Sequence, residues 1–308
     1  MDSIYIPSRG RYRTMSAHRH FHRYGVENWY YVVEPFDYAN YVNALNEEGI
    51  AEPEKHVLMF DVDTYKTPYH EYRNPKGFRY EDEFGWDPGM TTGPGPARNA
   101  LIDFARERGE SHCWMMDDDI QGFGINAFHI QKAVHARGEE RLNIVEIFEL
   151  YERLLDKYEN LGAAEMDKQG INMNHTKNFH FAVGTKTYTC IRINTALDVP
   201  WRGRWNDDVI YSLDYLWRGY VNLSSKIISY LTPNTATQAG GMTEAFKKVG
   251  TIDKAGLPKK LFPAVSDVVF KYSREHHQIE YGKIEKELIL KDGSNLDDLI
   301  LLPFTPQK

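Results

Sequence analysis

The sequence predicts an α/β fold, a sheet covered by helices, on three observations. Apolar strand-like runs alternate with helical stretches from the N-terminus to about residue 230. Several of those runs end in polar or acidic loops, the edge where open α/β sheets bind their ligands. At 308 residues the chain is long enough for one large domain, or one domain with a substantial appendage.

The elements follow in order. Ser3-Ile4-Tyr5-Ile6 reads as a first strand that runs into the tight basic loop Pro7-Ser8-Arg9-Gly10-Arg11. Residues 14–24 read as helix, and Trp29-Tyr30-Tyr31-Val32-Val33 as a second strand closed by Glu34-Pro35. A polar helix over 37–48 and a third strand, Val57-Leu58-Met59-Phe60, come next. The stretch 62–95 is rich in Tyr, Pro, Gly and acidic residues without a sustained period, which predicts a long excursion loop. Ala97 to Arg108 carries Ala100, Leu101, Phe104 and Ala105 on one helical face and stops at Gly109. Cys113-Trp114-Met115-Met116 is an apolar strand running straight into Asp117-Asp118-Asp119. Residues 144–160 form another amphipathic helix. Residues 179–183 and 188–193 read as a strand pair around Gly184-Thr185-Lys186. Asp207 to Trp217 begins a helix ended by Gly219, with one or two strands at 221–223 and 227–230. Past Gly240-Gly241 the pattern loosens, which sets a main domain over 1–244 and a C-terminal appendage over 245–308 packed on it.

Composition narrows the function classes. Hydrophobic residues at 42% and charged residues at 26% are ordinary for a globular protein. The net charge of −7 argues against a dedicated nucleic-acid binder, since phosphate contacts dominate such affinity, but leaves room for a local basic patch. Arg9 to Arg23 contains five arginines, and Lys247-Lys248 and Lys259-Lys260 lie in the appendage. No secretory signal and no run of about 18 apolar residues is present, so we expect a cytoplasmic chain without membrane contact and with Cys113 and Cys190 as free thiols.

Three consecutive carboxylates repel one another unless a cation relieves them, and hard oxygen donors suit Mg²⁺ or Mn²⁺, which keep coordination positions for substrate phosphates. A solvated acidic turn is the plainer reading, and it is less attractive directly after a buried strand. Arg98-Asn99 precede the aspartate strand, and an arginine offers a diphosphate bidentate charge-assisted bonds. The Pro7–Arg11 loop and Glu34, which can accept bonds from a ribose or base, also lie at strand ends. Together these make a nucleotide site. Trp205-Asn206-Asp207-Asp208-Val209 begins a helix. Asn206 as N-cap with acids in the first turn explains the pattern structurally. A general base for inverting glycosyl transfer explains it functionally, and the two readings are compatible. His18, His20 and His22 read as a solvated basic face rather than a Zn²⁺ site. No Walker-type loop and no convincing Ser-His-Asp order is present.

The order Ile4-Tyr5-Ile6-Pro7-Ser8-Arg9-Gly10-Arg11, Ala97-Arg98-Asn99, Met116-Asp117-Asp118-Asp119-Ile120 and Trp205-Asn206-Asp207-Asp208-Val209 resembles GT-A glycosyltransferases. More narrowly it resembles the TET-associated glycosyltransferases of bacteriophages, with later matches at Gln238-Ala239-Gly240-Gly241 and Arg274-Glu275-His276-His277-Gln278-Ile279-Glu280-Tyr281. The resemblance implies a Rossmann-like mixed sheet flanked by helices. It implies Asp117 at the ribose, Asp119 at the metal, and Asp118 assisting either. Arg9, Arg11 and Arg98 would contact the nucleotide, Asp208 or Asp207 would be the base, and His276 or His277 would complete the metal shell. It further implies Mn²⁺ or Mg²⁺ as cofactor, a UDP-sugar donor, and 5-hydroxymethylcytosine in phage DNA as acceptor, in the host cytoplasm. Three other readings stay open: a small-molecule, glycan or protein acceptor, a non-catalytic nucleotide- or cation-binding module, and a nucleotidyltransferase.

Overall fold

The computed structural model describes residues 1–65, 93–125, 144–168, 181–203, 205–233, 252–271 and 273–291. It contains the mixed α/β sheet flanked by helices that the sequence predicts. The strands are β1 (Ile4–Pro7), β2 (Trp29–Val33), β3 (Val57–Met59), β4 (His112–Met116), β5 (Gly122–Ile125), β6 (Leu161–Lys168), β7 (Phe181–Val183), β8 (Cys190–Asn194) and β9 (Val221–Leu231). Their order is β3-β2-β1-β4-β8-β6-β9-β5, with β7 also paired to β9.

The first four strands form a parallel unit in which β1 lies between β2 and β4, Ile4 pairing with both Trp29 and Trp114. The chain leaves β1 toward one side for β2 and β3, then returns to the other side for β4. That reversal is a switch point, where open α/β sheets leave a crevice beyond the carboxyl ends of the strands. Beyond β1 stands the Ser8–Arg11 loop, and beyond β4 stand Asp117, Asp118 and Asp119. The far half is mixed: β8 is antiparallel to β4 and β6, while β6 and β9 are parallel.

β1 and the Cys113–Met116 part of β4 are apolar because both of their faces are covered. On one face Ile4, Ile6, Trp114 and Met116 pack with Phe21 of α1 (Arg19–His22), with Tyr41 and Leu45 of α2 (Pro35–Glu47), and with Phe148 and Tyr151 of a helix over Ile144–Leu155. On the other, Tyr5, Cys113 and Met115 pack with Leu101 and Ala105 of a helix over Gly95–Glu107, and with Val209 and Leu213 of a helix over Asp207–Trp217. Cys113 and Cys190 are both buried and free. Among the described residues no helix is long and apolar enough to cross a membrane.

After the described break, a helix over Ile252–Leu261 and the hairpin β10 (Ser266–Lys271) and β11 (Arg274–Ile279) follow. Leu257, Phe262 and Val265 join the second core cluster. The chain then returns along the domain, where Lys286 donates to the Gly184 carbonyl at 2.7 Å. Gly184 adopts φ +60°, a left-handed conformation that strains other residues, and a Cβ there would push the Lys286 side chain aside.

The structure corrects several readings. Residues 181–183 and 190–194 are not a hairpin: β7 pairs with β9, and β8 pairs with β4 and β6. Residues 221–231 form a single strand, the first of the two expected alternatives. The helix expected over 14–24 reduces to Arg19–His22, and the one over 144–160 stops at Leu155. Most of the excursion loop, Gln238–Gly241 and Lys247-Lys248 lie outside the described residues.

Nor is the His18 segment a solvated face. His18 is fully buried, its Nδ1 2.8 Å from the Tyr31 hydroxyl and its Nε2 3.1 Å from Glu48. Burial lowers its pKa to about 4, against the opposing pull of Glu48. The unfolded chain protonates this ring near pH 6.5, so the native state gives up stability as pH falls from there toward 4. The loss should reach on the order of 3 kcal/mol at pH 4. Urea titrations of wild type and His18→Gln between pH 7 and pH 4 should show a flatter profile for the variant; parallel profiles would refute the assignment.

Candidate active site

The loop after β1 is built by hydrogen bonds to α2 and to the acidic run. Gly10, at φ +66°, turns its N–H to the Asp37 carboxylate at 2.6 Å. The Arg11 N–H reaches the Tyr41 hydroxyl at 3.1 Å. Ser8 hydrogen-bonds both Tyr41 and Asp118 through its hydroxyl. Pro7 closes the strand and sets the start of this turn. Asp37 and Tyr41 were not singled out from sequence. Their sign is only a spacing that puts both on the buried face of α2.

The three aspartates have three different environments. Asp118 is buried beneath the loop, accepting from Ser8 and from Arg11 Nη1 at 2.8 Å; burial pushes its carboxyl upward and Arg11 opposes this. Asp119 is more open and lies 3.3 Å from Arg11. Burial, then the charges of Asp117 and Asp118, raise it to about 6. Asp117 is the most exposed of the three, accepting from Arg98 Nη2 at 3.2 Å and from the Thr189 hydroxyl at 3.2 Å. Asp118 is therefore the inward anchor, while Asp117 and Asp119 border the crevice.

The expected arginines separate in the same way. Arg11 is engaged by Asp118 and Asp119. Arg9 is 45% exposed, ion-paired to Glu34 at 3.1 Å, with its guanidinium 5.5 Å from the Phe36 ring. It is the one of the three that faces solvent. Arg98 is buried. Its Nη1 donates to Asp207 at 2.7 Å, its Nη2 donates to Asp117, and its guanidinium lies 4.6 Å over the Trp201 ring. Asn99 holds that tryptophan in place, donating to the Trp201 carbonyl at 2.9 Å and accepting its N–H at 2.8 Å. Trp201 in turn stacks on Tyr211 at 3.9 Å. Arg98 thus ties the acidic run to the second acidic pair, reaching an aspartate 109 residues further along the chain.

At that second pair Asn206 sits at the N-cap position, but in left-handed conformation at φ 51° and without a side-chain cap bond. Its amide donates instead to the Lys254 carbonyl at 2.5 Å. Asp207 is buried against Arg98, and burial drives its carboxyl upward despite that partner. Asp208 is half-buried, with Oδ1 accepting the Val209 N–H at 2.7 Å. Lys186, Lys254 and His277 all lie within electrostatic reach of its charge.

Around Asp208 stand further groups that were not among the candidate site residues. Glu165 of β6 is buried and accepts the Tyr188 N–H at 2.6 Å; burial holds its carboxyl well above the usual carboxylate range. Asp167 is buried two residues on. Lys186 lies 4.6 Å over the Tyr188 ring, and burial lowers its pKa. The signal was the pair of acids in Ala-Glu-Met-Asp, one strand period apart.

Of the two histidines, His276 accepts from Arg274 at 3.2 Å, and His277 occupies the opposite face of β11. Burial lowers His277, and Asp208 pulls it back up. His277 is therefore the one turned toward the second acidic pair. Among the described residues no three His, Cys, Asp or Glu side chains converge as a preformed metal cage.

A family model described as TET-Associated Glycosyltransferase matches residues 3–241. No curated protein sequence matches the chain.

Proposed function

The chain belongs to the TET-associated glycosyltransferase family, and from that premise we propose that it transfers a sugar from a UDP-sugar to the hydroxymethyl oxygen of 5-hydroxymethylcytosine in phage DNA, with inversion. The observation that carries this reading is the Arg98 bridge. One buried guanidinium joins Asp117, at the nucleotide crevice, to Asp207, next to the candidate base. Donor and acceptor chemistry therefore share one rigid frame.

The donor half lies over the switch point. Arg9, Glu34 and the Ser8–Arg11 backbone face the nucleoside, and Asp117 the ribose. The crowding of Asp117, Asp118 and Asp119, only partly relieved by Arg11, leaves hard carboxylate oxygens that fit Mn²⁺ or Mg²⁺. Asp119 would hold that cation together with the donor phosphates, with His277 as the candidate for a remaining position. When bound, it neutralises charge developing on the departing diphosphate.

On the acceptor side, Asp208 takes the proton from the hydroxymethyl O–H. That oxygen attacks the anomeric carbon from the face opposite the diphosphate. The new C–O bond forms as the bond to the β-phosphate oxygen breaks, releasing UDP. Asn99 and Trp201 keep Arg98 in position throughout.

The test is a panel of UDP-sugars with hydroxymethylated DNA, with unmodified DNA as control. One UDP-sugar should add a single hexose or hexosamine mass to the hydroxymethylated strand alone. Equal labelling of both DNAs, or of neither, would reject this acceptor. Asp119→Asn should abolish the Mn²⁺ dependence of UDP-sugar hydrolysis and reduce its rate by roughly 10²–10³-fold. If Asp119→Asn hydrolyses the donor at the wild-type rate with the same Mn²⁺ dependence, Asp119 does not hold the cation.

A further inference from the structure

We propose that the β10–β11 hairpin opens the acceptor duplex, inserting Phe270 into the base stack beside the target cytosine. The inference rests on hydroxymethylated DNA as acceptor.

The hairpin register pairs Ser266 with Ile279, Val268 with His277, and Phe270 with Glu275. Opposed residues of an antiparallel pair share a face, so these six side chains lie on one side of the ribbon. At its base Ser266 is buried and Ile279 packs against the second core cluster. Midway, His277 is within electrostatic reach of Asp208. This is the face turned toward the site, and it continues outward to Val268, 40% exposed, and Phe270, 72% exposed. Phe270 is the most exposed large hydrophobic side chain among the described residues. An aromatic ring that open contributes little to folding of the monomer.

Charge on the hairpin fits a polyanion. The opposite face carries Lys271 and Arg274 as cross-strand neighbours next to the turn. The sequence from 252 to 279 holds Lys254, Lys259, Lys260, Lys271 and Arg274 against Asp253, Asp267 and Glu275, in a chain of net charge −7. Asp267 is moreover ion-paired to Lys259 at 3.2 Å. Lys271 and Arg274 thus stand next in the chain to Phe270 and its cross-strand partner Glu275, and supply cations for phosphate contact at the tip of the hairpin.

The chemistry needs such an element. Asp208 is half-buried with Lys186, Lys254 and His277 around its charge, so the reacting centre lies below the surface. A hydroxymethyl group on a stacked base lies within the major groove and does not reach a recessed centre unless the nucleotide leaves the stack. Apolar wedges such as Phe or Leu stabilise an opened base step by filling it.

The test compares wild type, Phe270→Ser and Phe270→Leu on a hydroxymethylated duplex, on the same strand alone, and in donor hydrolysis, with 2-aminopurine beside the target as a reporter of unstacking. Phe270→Ser should lose roughly tenfold or more in kcat/KM on duplex and lose the fluorescence rise, while single-strand transfer and hydrolysis stay within about twofold. Phe270→Leu should retain both duplex activity and the fluorescence rise. Wild-type duplex kinetics in Phe270→Ser, or an equal loss on single strand, overturns the proposal. So does a wild-type dimer in sedimentation that Phe270→Ser dissociates, since the ring then serves a second copy. Wild type that hydrolyses UDP-sugar but labels no DNA overturns the acceptor reading itself, and this proposal with it.

Discussion

Asp208→Asn should lower transfer to hydroxymethylated DNA by roughly 10²–10⁴-fold while leaving UDP-sugar affinity nearly unchanged. The amide is isosteric and its oxygen can still accept the Val209 N–H, so the start of the helix keeps its geometry. What disappears is a group able to take a proton. Asp208 suits that task better than its neighbour because it is only half-buried, with Lys186, Lys254 and His277 near its charge. Asp207 is held by Arg98 at 2.7 Å and has no free approach to an acceptor. Asp207→Asn should therefore weaken donor binding and stability rather than the proton-transfer step alone. Calorimetric UDP binding and mass-resolved transfer rates separate the two. Loss of UDP affinity in Asp208→Asn, in parallel with its rate, would move Asp208 from the base to the metal or the frame.

Sequence made the loop after β1 and the acidic run after β4 legible because their signals are local. β1 and β4 are unbroken apolar runs, and each passes directly into the polar residues that line the crevice. Direction and partner of the strands were not legible, since pairing is decided across the sheet. β6 shows this best. Leu161–Lys168 lacks β-branched residues and carries two acids, so nothing local marks a strand. It forms because β8 and β9 pair with it, and because the Tyr188 N–H satisfies buried Glu165. The roles of polar residues were hidden in the same way. Arg11 reads as a phosphate ligand until Asp118, 107 residues on, is seen to engage it. Asn206 reads as a helix cap until its amide is found on the Lys254 carbonyl. His18 looks solvated until Tyr31 and Glu48 close over it. In each case the residue type was informative and its partner was not, because the partner arrives by folding.

Arg98→Leu should destabilise the fold by about 3–5 kcal/mol at pH 8 and abolish transfer as well. Leucine preserves contact with Trp201 but removes the cation between Asp117 and Asp207. Asp207 is then a buried carboxylate without compensation, on top of the burial that already raises it. The pH dependence identifies the cause. A carboxyl whose folded pKa is raised costs stability above that pKa, and the cost vanishes as pH falls to the unfolded value near 3.8, where both states are protonated. The deficit of Arg98→Leu relative to wild type should thus shrink between pH 8 and pH 5 in urea titrations. Adding Asp207→Asn should recover part of the loss at pH 8, because the pair is in contact and its energies are not additive. Arg98→Lys should rescue poorly, since a single ammonium cannot span two carboxylates that a planar guanidinium reaches from separate nitrogens. A deficit below about 1 kcal/mol at pH 8, or one independent of pH, would mean that the bridge does not hold the site together.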